Sequence, residues 1–217
     1  MPESFSKNMI RVVQGLCWSV LLAGAGGCVP MAGAWANITG GEYIDAQYKI
    51  PNEPLLVLID DRDGHVTEPR AINETHKTIA TVFIAKNVND KIVPIEDWRR
   101  MMQSDKDYAK LSIRQIGEKL GAANVLYLRV DRFSLQSEPG APIFRGEYAV
   151  RVKVISTDRK KEARVWPDSE AGKRIVVTTD PTPMDGDKSA GDIATELGIK
   201  LGKEVALMFY GHREMEK

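Results

Sequence analysis

The first residue spaced for chemistry is a thiol. Cys28 follows Ala25-Gly26-Gly27 and closes an apolar run, Val12 to Ala23, that Arg11 leads into. Small residues ahead of a cysteine let a chain lie extended in a peptidase cleft. Cleavage after Gly27 would place the Cys28 thiol at a new amino terminus, open to acylation. The only other cysteine, Cys17, lies inside the run that would be removed. The processed chain then holds a single thiol and builds neither a disulfide nor a cysteine-based metal site.

Other candidate groups are sparse. Asp60-Asp61-Arg62-Asp63-Gly64-His65 gathers carboxylates at the end of an apolar run, and Asp61-x-Asp63-Gly64 matches a fragment of a calcium loop. The remaining oxygen ligands and the glutamate beyond the glycine are missing, so the segment reads as a solvated turn. His65, His76 and His212 are scattered and form no zinc pattern. There is no Gly-x-Ser-x-Gly elbow and no phosphate loop. The expectation is a protein that is not an enzyme and holds no metal or cofactor. Paired carboxylates for hydrolysis come from distant positions, which keeps an anchored or secreted hydrolase as the alternative. Arg129, Asp131, Arg151 and Lys153 occupy alternate positions in two apolar-alternating segments. They form either a solvated charge ladder, worth a few tenths to about 1 kcal/mol per opposed pair, or a docking surface for a protein partner. Arg159, Lys160 and Lys161 extend the basic character at the following turn and suit anionic headgroups.

These groups need elements to position them. Leu55 to Ile59 is an unbroken apolar run, which predicts a buried central strand. Ile72, Ile79, Val82 and Phe83 predict a helix over 71–86. Ile92-Val93-Pro94-Ile95 predicts a short edge strand. Ile113, Ile116 and Leu120 predict a helix, with Ser112 available as its cap and Gly121 at its end. Leu126, Leu128 and Val130, then Tyr148, Val150, Val152 and Val154, alternate with polar residues on either side of a Pro/Gly loop at 137–142. They predict a long antiparallel hairpin with one apolar and one charged face. Segments 163–166 and 175–177 are further strand candidates. Ile193, Leu197, Leu201, Val205 and Met208 predict a final helix from about Ala190 to Tyr210. The expected fold is α+β in a single domain: a mixed sheet with a long antiparallel hairpin and helices packed on one face.

The 217 residues, 43% hydrophobic and 28% charged, suffice for one globular domain. Equal numbers of basic and acidic residues, 30 each, argue against nucleic acid as a partner. The organisation is a signal segment 1–27, a tether 28–54 rich in Gly, Ala, Asn and Pro, and a globular domain 55–217. A tether of that length spans roughly 25–30 Å. Trp35, Tyr43 and Tyr48 within it suit either lipid headgroups or packing against the domain.

Arg11, the apolar run and Ala25-Gly26-Gly27-Cys28 resemble a bacterial lipoprotein signal peptide, with Ala25 where that motif favours Leu. The resemblance implies a lipid on Cys28. Val29, with no Asp after the cysteine, implies an outer-membrane anchor facing the periplasm. Ile116-Gly117-Glu118-Lys119-Leu120-Gly121-Ala122-Ala123-Asn124-Val125-Leu126-Tyr127-Leu128, with the opening strand 55–60 and the helix after it, resembles a periplasmic group. That group holds LpoB-type penicillin-binding-protein activators, the amino-terminal domain of TolB and CsgG-like proteins. It implies a non-catalytic envelope protein that binds or regulates a partner in wall synthesis or outer-membrane assembly. Its CsgG-like branch implies a secretion-assembly subunit as a further alternative.

Overall fold

The computed structural model describes residues 41–214, apart from 137, 139, 141 and 185. Its organising strand is β1 (Leu55–Asp60), whose first five side chains are all buried. β1 runs parallel to β2 (Asn124–Gln136), with Leu55 opposite Asn124 and Asp60 opposite Arg129. Between them the chain forms α1 (Arg70–Ala85), α2 (Ile95–Ser104) and α3 (Ile113–Lys119). β2 turns back into antiparallel β3 (Ile143–Ser156), the long hairpin that the alternating pattern predicts. β3 then accepts three short antiparallel partners: β4 (Arg164–Trp166), β5 (Lys173–Thr178) and β6 (Thr182–Pro183). The chain closes with α4 (Ala190–Leu207). The α+β class and the mixed sheet are as the sequence implies.

Odd-numbered residues of β1 and even-numbered residues of β2 and β3 bury one face of the sheet. Val57, Ile59, Leu128, Val150 and Val152 pack with Ile79 and Phe83 of α1 and Leu197 and Leu201 of α4. These two long helices lie together on that face, as expected. The opposite face carries a second core, in which Leu56, Leu58, Val125, Tyr127 and Ile155 pack under Trp98 of α2 and Ile116 of α3. Helices therefore cover both faces at this end, not one. The physical reason is the unbroken run in β1, which presents apolar residues to both sides.

Three further expectations change. β1 is not central: its far side carries only a bridge between Leu55 and Ile92. That bridge rests on Leu55 N–H to the Lys91 carbonyl at 2.9 Å and Val93 N–H to the Leu55 carbonyl at 2.8 Å. The expected strand at 92–95 is thus a single bridge, and Pro94 opens α2 in place of ending a strand. Residues 47–54, expected within the tether, lie against the domain. Ile50 is buried, Tyr48 stacks on Trp166 at 6.3 Å, and Asn89 Nδ2 donates to the carbonyls of Pro51 and Glu53.

The chain divides into a large unit, Ile44–His212, which holds all the elements above, and a small one. In the small unit, Glu214 N–H donates to the Glu42 carbonyl at 3.0 Å. Among the described residues, no helix is long and apolar enough to cross a membrane.

Candidate functional site

On the sheet face that carries the second core, apolar packing under the helices reaches Tyr127, and the next row across the strands is charged. Strand register fixes which charges meet. Asp60 of β1 lies beside Arg129 of β2, Arg129 opposite Arg151 of β3, and Arg151 opposite Arg174 of β5. Residues directly opposed across antiparallel strands share a face, so the three arginines form one row. Lys153, two residues along β3 from Arg151, lies opposite Tyr127 on the same face. All four residues singled out from the sequence, Arg129, Asp131, Arg151 and Lys153, are brought together here.

Asp131 reaches the row through an irregularity. The pairing of β2 with β3 shifts between Val130 and Arg132, leaving Asp131 as the extra residue of a bulge. Its carboxylate accepts from Arg129 Nη2 at 3.0 Å and from Arg151 Nε at 2.7 Å. Burial would raise its pKa, but the hydrogen bonds and charges of Arg151 and Arg129 outweigh burial and hold it below the usual carboxylate range. Asp60 accepts from the Tyr127 hydroxyl at 2.7 Å and from Arg62 Nε at 3.1 Å. Burial first, then the Asp60 carboxylate, pushes the Tyr127 phenol well above its ordinary value, so it stays a donor. Beneath it, Trp98 Nε1–H donates to the Tyr108 hydroxyl at 2.8 Å, closing the helix-covered end.

Lys153 differs from the arginines beside it. Burial, then the positive charges of Arg129, Arg164 and Arg151, lower its amine below the usual lysine value, with Glu170 opposing in part. Its stem runs along the turn at Gly172, where φ is +82° and a β-carbon would meet Lys153 Cγ and Cε at 3.1 Å. Among the described residues, neither Lys153 nor Arg174 has a hydrogen-bond or ion-pair partner for its side chain.

The other sequence candidates resolve as structure. Asp61 accepts the backbone N–H groups of His65 at 2.8 Å and Val66 at 2.9 Å, so it ties off the acidic turn. Among the described residues, no three His, Cys, Asp or Glu side chains converge as a metal site. His76 is buried, its Nε2 has no partner, and burial lowers its pKa. Arg159 is occupied by Glu118 at 2.8 Å. Cys28 and Trp35 lie outside the described residues. Among the described residues the surface carries shallow clefts, two of which bear on the search for paired acids. One, of about 610 Å³, is lined by Thr67, Arg132, Phe133 and Gln136, among others, and by no carboxylate. The other, of about 450 Å³, holds Glu53, Asp158 and Lys161.

Arg174, Arg164 and Asp60 belong to the charged face as well; the sequence placed Asp60 in the acidic turn and did not single out the two arginines. Arg174 directly precedes the candidate strand 175–177, but which strand borders β3 is a long-range pairing that local pattern does not encode.

No protein-family model matches the chain, and no curated protein matches it. Among solved structures, a PelC dodecamer from Paraburkholderia phytofirmans is similar at 12% identity and a TM-score of 0.34, covering 74% of this chain and 91% of that one. Protein XCC0632 from Xanthomonas campestris is similar at 10% identity and a TM-score of 0.41, over 74% of this chain and 84% of its own. Lipoprotein GNA1162 from Neisseria meningitidis is similar at 12% identity and a TM-score of 0.38, over 70% and 95%.

Proposed function

We propose that the chain is a non-catalytic, lipid-anchored protein of the bacterial cell envelope that binds or regulates an envelope partner through the open charged face of its sheet. The observation that carries this reading is Ala25-Gly26-Gly27-Cys28 at the close of an apolar run that Arg11 leads into. The acyl chain on Cys28 holds the protein at the outer membrane, facing the periplasm, and the partner acts in wall synthesis or outer-membrane assembly.

The division of the charged face supports a binding role. At one end α2 and α3 cover the sheet with apolar side chains, and beyond Tyr127 the same face is open. Flat, polar surfaces with arginine suit protein recognition, whereas hydrolysis by paired carboxylates needs two acids facing a bound substrate. The cleft of about 610 Å³ has no carboxylate in its lining, and the one of about 450 Å³ has Glu53 and Asp158 beside Lys161.

Fractionation tests the reading. The native chain, expressed in a diderm bacterium, is expected in the outer-membrane fraction and released only by detergent. A Cys28→Ser variant is expected to leave that fraction. Equal partitioning of the two would contradict the anchor.

A further inference from the structure

Like charges set directly opposite one another weaken a sheet. Here Arg129, Arg151 and Arg174 share a row, with Lys153 beside it and Arg164 bearing on Lys153. Asp131 answers Arg129 and Arg151. Arg164 Nη2 is held at 3.1 Å by the Asp168 carbonyl. Lys153 has only the longer-range attraction of Glu170, and Arg174 is left without an ion-paired carboxylate among the described residues. Arg174 is exposed, and Val176, which follows it on the same face of β5, is 41% exposed. A sheet selected for stability alone would place a β-branched residue or a carboxylate at one of these positions.

We propose that Lys153, Arg174 and Val176 seat an acidic polypeptide segment of the envelope partner, its carboxylates pairing with the two cations and an apolar side chain lying on Val176. This rests on the partner-binding reading above and names the chemistry of the partner's contact. The choice of polypeptide follows from the charge pattern. Asp60 and Asp131 are interleaved with the cations of the row. They repel a dense array of phosphates, while separate carboxylates on a peptide reach Lys153 and Arg174 without approaching them. An exposed valine beside the cations also favours a segment with apolar side chains over a hydrated headgroup layer.

The test uses the whole mature chain, kept unacylated by Cys28→Ser, titrated with a fluorescent peptide that alternates Glu with Val and, separately, with phosphatidylglycerol–phosphatidylethanolamine vesicles. The chain is expected to bind the peptide with an affinity that falls as salt rises. Lys153→Gln with Arg174→Gln is expected to weaken binding about tenfold or more. Removing the same charge elsewhere, with Lys160→Gln and Lys161→Gln, is expected to leave it within about twofold. The Lys153→Gln/Arg174→Gln chain is expected to melt no lower than its parent, which separates lost binding from lost fold. Equal weakening by both double variants would overturn the proposal. So would no binding of the peptide, or vesicle binding that Lys153→Gln/Arg174→Gln abolishes while peptide binding persists. Failure of the anchor would show in membrane fractionation and leave this titration untouched.

Discussion

Asp131 is the residue on which the charged face turns. Without its carboxylate, Arg129 and Arg151 are directly opposed like charges. Asp131→Asn is expected to cost about 1 kcal/mol, the range of a charged hydrogen-bond pair discounted for partial exposure, measured by urea unfolding. The sign of its pH dependence follows from the lowered pKa. Asp131 is ionised more readily in the fold than in the unfolded chain, so its contribution is present at neutral pH. It fades as pH falls below the ordinary aspartate value of about 3.9 and on through the lower native value. The Asn variant should lack that acid-dependent portion. Lys153 has the opposite character: burial and its cationic neighbours disfavour its protonated form. Lys153→Met is therefore expected to raise stability by a few tenths of a kcal/mol, read as a higher urea midpoint, and to weaken the acidic-peptide contact. The four charges of the hairpin were legible in the sequence because period-2 alternation fixes which side chains share a face. The bulge that aims Asp131 between two guanidiniums was not, since it depends on one extra residue in the pairing.

At the scale of elements, the long helices meet through small residues. A β-carbon on Gly198 would stand 2.5 Å from the Ala71 carbonyl oxygen, and one on Gly202 would stand 2.6 Å from Thr78 Cβ. Backbone this close leaves no room for even a methyl group, so Gly202→Ala is expected to destabilise by about 1–3 kcal/mol through overpacking. This outweighs the gain of roughly 1 kcal/mol that alanine brings to a helix interior, and thermal unfolding checks the balance. The start of α4 is fixed by Ser189, whose Oγ accepts the Asp192 N–H while the Asp192 carboxylate accepts the Ser189 N–H at 2.9 Å. Ser189→Ala is expected to cost about 1 kcal/mol in the same measurement. Strong periodicity made α1, α4 and the hairpin readable. α2 was not: its stripe of Ile95, Trp98 and Met101 spans only ten residues, and Ile92-Val93-Pro94-Ile95 at its start imitates a strand. The second core was implicit in Leu56 and Leu58, which must bury against something on the face opposite Val57.

Across the whole molecule, zero net charge conceals a segregated surface. Cations gather on one open sheet face, while two long helices cover the other. The proposed signal segment rests on local features that processing enzymes read: a basic residue, an apolar run, small residues and a cysteine. The charged row was not legible there, because it is assembled from strands distant in sequence. Intact mass of the native protein is the most direct check on processing and acylation at Cys28. Loss of residues 1–27 is expected, with a diacyl or triacyl increment that is absent from Cys28→Ser. A full-length chain of unmodified mass would contradict it.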